Sequence, residues 1–159
     1  MAKKRNTIYI AYGSNMSVEQ MKFRCPAAKL LGTGTLNNWQ LQFKVHATVK
    51  RAKGYAVPVL LWELTEVCEQ ALDRYEGFRP LQPHMGYYHK QNVRIKIGES
   101  TRLAMLYVMN PRHLCLPHRE YYNVISDAYN EFGFDKNILQ TAIDECRRGT
   151  PARVAEETH

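Results

Sequence analysis

The sequence predicts an α+β domain with a closed or strongly curled sheet of about five to seven strands, bounded by short helices. Apolar and polar residues alternate from Trp39 to Val45, the period-two pattern of a half-buried strand. Two further apolar runs, 93–97 and 103–109, flank a Gly98-Glu99-Ser100 turn and predict an antiparallel hairpin. Closure of the sheet is favoured because it removes exposed strand edges.

The first strand and helix are defined by residues 8–26. Ile8–Ala11 is a short apolar strand that breaks into a Gly-Ser-Asn turn. Ser17 followed by Gln20 three residues later forms a capping box, so we expect a helix over 17–24 that Pro26 ends. Asn37-Asn38 predicts a turn before the alternating strand.

The second strand–helix pair begins at Val57. Val57–Leu64 is a continuous apolar strand, and Thr65 is the candidate N-cap of the following helix. The predicted apolar stripe of that helix consists of Val67, Cys68, Ala71, Leu72 and Tyr75.

Two more helices are predicted after the hairpin, over residues 120–132 and 136–147. Gly133 is the candidate C-cap of the first and Asp135 the candidate N-cap of the second. Strands and helices therefore follow one another without the regular βαβ alternation of a parallel sheet.

Length and composition indicate one domain. The chain has 159 residues, 45% of them hydrophobic, which suffices for one complete core and not for two. We expect a single domain over residues 7–149, with flexible tails at residues 1–6 and 150–159.

The chain is basic, with 22 Lys and Arg against 15 Asp and Glu and a formal net charge of +7. The charge favours anionic partners. However, the basic residues at 3–5, 50–53, Arg94 and Lys96 are scattered and not interleaved with aromatic residues for base stacking. We therefore expect a solvated basic surface and no specific nucleic-acid partner.

The four cysteines are widely spaced and form no C-x-x-C pair, which indicates free, buried thiols. The apolar stretch Ile8–Ala11 is too short for a signal peptide, and no later run approaches the ~20 apolar residues of a membrane span. The sequence thus predicts a cytoplasmic protein without membrane association.

Two local features carry the candidate chemistry. Tyr12-Gly13-Ser14-Asn15 lies between a strand and a capped helix, where free backbone N–H groups form a small cradle for an anion. Glu76 stands four residues after Leu72, so one more helical residue places its carboxylate over the buried stripe. Partial burial raises the pKa of such a carboxyl to a range where it can accept and return a proton. A cradle and one placed carboxylate indicate an enzyme for a small anionic substrate.

Each feature also has an ordinary structural explanation. The turn is equally typical of a strand-to-helix connection in which Gly and Asn tolerate positive φ. Glu76 at a helix end is compatible with an ion pair to Arg74 or Arg79. Two histidine pairs with a five-residue offset lack supporting Cys or acidic ligands, and we interpret them as loop residues and not as a metal site: His84 with His89, and His113 with His118.

The ordered set of motifs resembles the gamma-glutamylcyclotransferase-like family. The resemblance spans residues 8–147 and rests on order and spacing more than on any single motif. It consists of Tyr12-Gly13-Ser14-Asn15, Phe43, Val59 to Thr65, Leu72-Asp73-Arg74-Tyr75-Glu76-Gly77, Tyr87-Tyr88, Tyr107, and Pro117 to Tyr121 with Gly133 after it.

The resemblance implies a small, mixed, mostly antiparallel closed β-barrel with peripheral helices. It further implies that Tyr12, Gly13, Ser14 and Asn15 bind the α-carboxylate end of a γ-glutamyl substrate, that Tyr121 is a pocket residue, and that Glu76 is the acid/base. The α-amine attacks the substrate's own γ-carbonyl, giving 5-oxoproline and a free amine. Such an intramolecular reaction requires no metal or organic cofactor.

Some positions depart from the family pattern: Pro117-His118 replaces the usual Pro-Ser, and Ala128 stands where Gly is common. The segment 78–86 directly follows Glu76, so we expect it to shape the leaving-group side of the site. A non-catalytic module that binds an acidic or γ-glutamyl metabolite on the same fold is the alternative. A nucleic-acid binder is a third reading, which predicts steeply salt-dependent retention on DNA. The motifs specify neither the leaving amine nor the oligomeric state.

Overall fold

The computed structural model describes residues 6–157, with side chains described as far as residue 149. The strands are β1 (Thr7–Ala11), β2 (Lys29–Lys44), β3 (His46–Leu64), β4 (Tyr88–Ile97) and β5 (Ser100–Met109). The helices are α1 (Val18–Arg24), α2 (Glu66–Tyr75), α3 (Arg119–Phe132) and α4 (Asn137–Glu157). Two single 3-10 turns are Ser14–Met16 and Pro83–Met85.

The five strands form one mixed sheet in the order β2-β3-β1-β5-β4. Three neighbouring pairs are antiparallel, and β1 pairs with β5 in parallel, with Tyr9 opposite Met105. The α+β class and the lower end of the predicted strand number are confirmed. The short β1 lies at the centre of the sheet, so the turn that follows it emerges from the middle of the domain.

The predicted closed barrel is wrong, because the sheet is open between its two edge strands, β2 and β4. The edges approach each other through side chains instead of backbone hydrogen bonds: a Cβ at Gly34 of β2 would lie 3.6 Å from Ile95 Cδ1 of β4. Side chains of both strands, including Trp39 and Arg94, line a cavity of about 570 Å³ at this seam. The space that side chains occupy there keeps the two backbones beyond ladder distance.

The predicted turn at Asn37-Asn38 is also wrong, since both residues lie inside β2. Asn38 adopts a left-handed conformation (φ 65°) at a register shift, and its Oδ1 accepts a hydrogen bond from Gly54 N at 3.1 Å. Asn tolerates this conformation at a β-bulge as it does in a turn, so the local signal is the same for both. The β2–β3 hairpin instead reverses at Val45 (φ 70°), between the paired Lys44 and His46.

The predicted helix ends are largely confirmed. Ser17 Oγ accepts from Gln20 N at 3.2 Å and Thr65 Oγ1 from Cys68 N at 3.1 Å. Gly133 caps α3 in the left-handed conformation (φ 70°). The second half of the predicted capping box is not formed, because Gln20 Oε1 is buried without a hydrogen-bond partner among the described residues.

Two expectations about buried positions need correction. Of the stripe predicted on α2, Cys68 and Leu72 are buried, whereas Val67 and Tyr75 are exposed. Cys115, expected to be buried, is exposed in the loop before α3. Helix α4 spans Asn137–Glu157 and so extends into residues 150–159, whose flexibility stays a prediction. The predicted N-terminal tail lies, apart from Asn6, outside the described residues.

The hairpin of β4 and β5 is confirmed, with its turn at Gly98 (φ 59°). Helix α4 is joined to β2 through Glu145, which accepts hydrogen bonds from Gln40 and Gln42, each at 2.6 Å. Within residues 6–157, no helix combines the length and the apolar character needed to cross a membrane.

Candidate active site

A cavity of about 420 Å³ opens where the central strand β1 ends, and all six residues predicted for the site line it. They are Tyr12, Gly13, Ser14, Asn15, Glu76 and Tyr121. Asn15 and Glu76 are 61 residues apart in the chain. Strand β3 ends beside the start of β1, with Leu64 opposite Thr7, and α2 then runs back along β1, so that Glu69 contacts Thr7 and Glu76 contacts Asn15. The remaining lining residues are Tyr9, His46, Ala47, Arg74, Tyr75, Gly77, Tyr87, Tyr88 and Tyr107.

The loop from Tyr12 to Asn15 forms the floor of this cavity. Met16 N donates to Gly13 O and Ser17 N to Ser14 O, both at 3.0 Å, which closes one 3-10 turn. The N–H groups of Gly13, Ser14 and Asn15 precede these first closed bonds, as at the start of any helical turn.

Gly13 is needed here for space and not for a positive φ, because its φ is −120°. A Cβ at this position would lie 3.3 Å from Ala47 Cβ and 3.4 Å from the hydroxyl oxygen of Tyr121. The glycine therefore allows the loop to approach β3 and α3 closely, and the explanation of the turn through positive φ does not hold for this residue.

Glu76 follows the last residue of α2, and its N–H still donates to Leu72 O at 2.8 Å. This continuation of the helix by one residue directs Glu76 into the cavity, where its Oε1 accepts a hydrogen bond from Asn15 Nδ2 at 3.3 Å. Among the described residues, no ion pair joins Glu76 to Arg74 or Arg79. The ordinary explanation of Glu76 as an ion-paired helix end is thus not what the structure contains.

Burial raises the pKa of Glu76 from its ordinary value of 4.5 to about 7. The positive charge of Arg24 and the hydrogen bond from Asn15 oppose this shift and offset part of it. A carboxyl with a pKa near neutrality exchanges protons in both directions at small cost, as a group that serves as base and then as acid requires.

Five tyrosines from different elements surround Glu76, and burial raises the pKa of each well above its ordinary value: Tyr9, Tyr12, Tyr88, Tyr107 and Tyr121. They are neutral near pH 7 and are held by specific bonds. The hydroxyl of Tyr12 donates to Tyr107 O at 2.5 Å, and that of Tyr88 donates to Ala47 O at 2.7 Å. The hydroxyl of Tyr121 accepts from Ala47 N at 2.9 Å. The Glu76 carboxyl is therefore surrounded by neutral tyrosines that hydrogen bonds hold in place, and the basic residues of the lining are Arg74 and His46.

The start of β3 forms a further wall through His46 and Ala47. The reversal at Val45 is fixed by a hydrogen bond from Val45 N to Cys115 O at 3.0 Å, and Cys115 N donates to Phe43 O at 3.1 Å. His46 Nδ1 lies 3.1 Å from the hydroxyl of Tyr87. Burial, with His118 and Arg112 nearby, lowers the pKa of His46.

The segment 78–86 forms a loop whose two ends reach the cavity. Tyr87 N donates to Gly77 O at 3.0 Å and closes the base of the loop, and these two residues line the cavity. Gly86 permits this closure, because a Cβ there would lie 2.4 Å from Gly77 O. Residues 78–86 are not among the lining residues, and the two residues that flank them, Gly77 and Tyr87, line the cavity instead.

Sequence reasoning did not identify Arg24, which contacts the site without lining its cavity. It occupies the last turn of α1, where the helix dipole alone explains a basic residue. Its guanidinium donates to Ser14 Oγ at 3.3 Å and also to Asn15 Oδ1. Tyr9 and His46, two wall residues that were also missed, carry little sequence evidence of a role in the site. Each simply occupies a strand position near a predicted loop.

Across the described residues, no group of three or more His, Cys, Asp and Glu side chains is arranged to hold a metal ion. The cavity offers hydroxyl, amide and backbone N–H groups, the basic side chains of Arg74 and His46, and the carboxyl of Glu76. This donor set suits a small polar organic molecule with an anionic group.

The sequence matches the family model described as gamma-glutamyl cyclotransferase, AIG2-like, over residues 9–128. This match covers most of the chain and includes both the loop and Glu76. The chain belongs to the gamma-glutamyl cyclotransferase, AIG2-like family. The resemblance seen in the motifs is thereby confirmed.

Solved structures show the same gamma-glutamyl cyclotransferase fold. One named gamma-glutamyl cyclotransferase is 22% identical over 86% of each chain, with a TM-score of 0.72. The uncharacterized human protein loc79017 is also 22% identical, over 87% of each chain, with a TM-score of 0.74. YkqA from Bacillus subtilis is 15% identical with a TM-score of 0.71, and the match covers 91% of this chain and 55% of YkqA. No curated protein matches this chain in sequence.

Proposed function

We propose that this chain is a cyclotransferase that cleaves a γ-glutamyl amide, a γ-glutamyl amino acid or amine, into 5-oxoproline and a free amine. The single observation that carries the proposal is that the carboxyl of Glu76, with a pKa of about 7, lines the same cavity as the loop from Gly13 to Asn15. Family membership and the fold support a cyclotransferase-like protein.

In the proposed reaction, ionised Glu76 takes one proton from the α-ammonium of the substrate. The freed amine nitrogen attacks the γ-carbonyl carbon of the same molecule and forms the new C–N bond of a five-membered ring. As the bond from the γ-carbon to the leaving nitrogen breaks, Glu76 returns that proton to the leaving nitrogen. Glu76 then carries the second proton from the ring nitrogen, which keeps one hydrogen, to the leaving amine, which departs as an ammonium. Atoms balance without water, and Glu76 ends in the ionised form in which it began.

The cavity walls hold the folded conformer of the substrate, which the intramolecular attack requires. We assign the N–H groups of Gly13, Ser14 and Asn15 to the substrate's anionic end, because they precede the first closed bonds of the turn. Tyr12 and Tyr121 supply neutral, fixed walls beside them. The reaction as written uses no metal or organic cofactor.

The test is to incubate the purified protein with a panel of γ-glutamyl amino acids and γ-glutamyl amines and to measure 5-oxoproline by mass spectrometry. We expect release by the wild type and a loss of about 10²- to 10⁴-fold in Glu76→Gln, because the proton shuttle is removed. Glu99→Gln, in the exposed β4–β5 turn, is the matched control.

Calorimetry of the same variants distinguishes the enzyme from the binding module. The enzyme predicts that Glu76→Gln still binds the γ-glutamyl compound that the wild type cleaves. Binding without any 5-oxoproline from the wild type supports the non-catalytic alternative, and a folded, fully active Glu76→Gln excludes the mechanism. Cytoplasmic location and the lack of a specific nucleic-acid partner stay predictions from composition.

A further inference from the structure

Arg24 joins two parts of the site, the loop and the end of α2, without lining the cavity itself. Its guanidinium donates to Ser14 Oγ and Asn15 Oδ1 in the loop and to the hydroxyl of Tyr75 at the end of α2. The guanidinium carbon also lies 3.8 Å from the centre of the Tyr75 ring. Tyr75 directly precedes Glu76, so one side chain ties the loop to the helix end that carries the carboxyl.

The contact with Asn15 determines which way the amide of that residue points. A guanidinium has only N–H donors, so it must meet the amide oxygen. The amide nitrogen of Asn15 is then directed at the hydroxyl of Tyr9, at 2.9 Å, and at Glu76 Oε1, at 3.3 Å. With the amide reversed, the nitrogen would face the guanidinium and Glu76 would face an oxygen.

Arg24 is also the cation that acts on the charge of Glu76. The other groups that interact electrostatically with Glu76 come from β1, the loop, β4, β5 and α3, and they are neutral tyrosines: Tyr9, Tyr12, Tyr88, Tyr107 and Tyr121. Of the other cavity residues, Arg74 on α2 and His46 on β3 are basic. Neither appears among the groups that shift the pKa of Glu76.

We propose that Arg24 is a positioning residue, which fixes the amide of Asn15 so that it donates to Glu76 and holds the loop against the end of α2. Its kinetic consequences rest on the proposed function, whereas its effect on Glu76 and Asn15 does not. Arg24 acts through Asn15 and Tyr75 and is not assigned a contact with substrate.

The test compares Arg24→Gln and Arg24→Lys with Lys22→Gln, which removes the same charge from an exposed position of α1. NMR follows the titration of the Glu76 carboxyl carbon and the side-chain NH₂ signals of Asn15. In Arg24→Gln we expect the pKa of Glu76 to rise and the Asn15 NH₂ protons to exchange faster with solvent. Lys22→Gln should match the wild type in both readouts.

In Arg24→Lys the charge remains but the planar fork is lost. We expect the Glu76 titration to stay near that of the wild type while the Asn15 signals shift, which separates charge from geometry. If Arg24→Gln does not fold, the Asn15 signals of Arg24→Lys decide the question. For a protein that releases 5-oxoproline, kcat/KM of Arg24→Gln should fall roughly tenfold on the acid side of its pH profile.

The proposal is overturned if Glu76 titrates identically in Arg24→Gln and Lys22→Gln, or if the Asn15 signals are unchanged in both Arg24 variants. If the wild type releases no 5-oxoproline, the proposed function is refuted. The two NMR results still decide whether Arg24 positions Asn15 and acts on Glu76.

Discussion

Replacing Glu76 by Gln should stabilise the protein, and by an amount that depends on pH. The pKa of Glu76 is about 7 in the fold against an ordinary value of 4.5. The folded state therefore binds a proton more tightly than the unfolded chain, and the free energy of unfolding of the wild type falls as pH rises from 4.5 to about 7. This difference corresponds to about 3 kcal/mol, at ~1.4 kcal/mol per pKa unit, and solvent at the half-buried residue makes that an upper value.

Gln does not titrate and has nearly the shape of protonated Glu. The free energy of unfolding of the variant therefore does not decrease with rising pH through this position. We expect Glu76→Gln and the wild type to be similar in stability at about pH 5, and the variant to be more stable by up to ~3 kcal/mol at about pH 8. For a chain of this size, that corresponds to a Tm increase of roughly 6 to 12 °C.

Urea unfolding followed by circular dichroism across this pH range measures the difference, with Glu99→Gln as the control. The decisive quantity is the change with pH of the difference between Glu76→Gln and the wild type. A difference that stays constant from about pH 5 to about pH 8 would refute the argument that Glu76 is desolvated in the fold. So would a variant that is less stable than the wild type at the upper end.

Three further predictions follow from the same geometry. The kcat/KM for a cleaved γ-glutamyl compound should fall about tenfold per pH unit below about 7, as Glu76 becomes protonated; a flat profile there contradicts Glu76 as the base. Gly13→Ala should lower kcat/KM by roughly a few-fold, because the new Cβ would lie 3.3 Å from Ala47 Cβ and the loop or its neighbour must shift by a few tenths of an ångström, and it should change the urea midpoint little. Gly86→Ala should instead reduce the free energy of unfolding by more than about 2 kcal/mol, because its Cβ would lie 2.4 Å from Gly77 O; an unchanged midpoint would contradict the closure of that loop.

The features that sequence predicts well are those that a few neighbouring residues determine. The caps at Ser17 and Thr65 and the turn at Gly98 depend on side chain–backbone bonds or on a left-handed residue within one turn. The inward placement of Glu76 belongs to this group, because its position relative to Leu72 follows from helical periodicity. Local rules thus predict the loop of residues 12–15 and the inward position of Glu76. They do not predict the distance between the two in the folded protein.

The features that sequence reasoning missed depend on residues far apart in the chain. Whether the sheet closes is decided by the distance between β2 and β4, and the side chains that hold those edges apart carry no local signature. The parallel pairing of β1 with β5 joins strands separated by the whole β2–β4 region. Arg24 is missed for a related reason: its position in α1 is explained by the helix dipole, and its bond to Asn15 is visible only in the fold.

A desolvated carboxyl destabilises its own position, so the fold must prevent Glu76 from moving out to solvent. The face of α2 on which Glu76 itself lies provides this restraint, because residues 69, 73 and 76 follow the i, i+4, i+7 spacing of one helix face. Lys90 of β4 pairs with Glu69 at 2.5 Å and with Asp73 at 2.8 Å, one helical turn apart. Asp73 also accepts a hydrogen bond from the hydroxyl of Tyr107 at 2.6 Å, so the ion pairs of Lys90 are linked to a residue of the cavity wall. Because α2 is held to the sheet on this side and Arg24 holds its end to the loop, Glu76 cannot regain water by a small rotation of the helix. The raised pKa of Glu76 is therefore a property of how α2 is anchored, and not of the residues that touch the carboxyl alone.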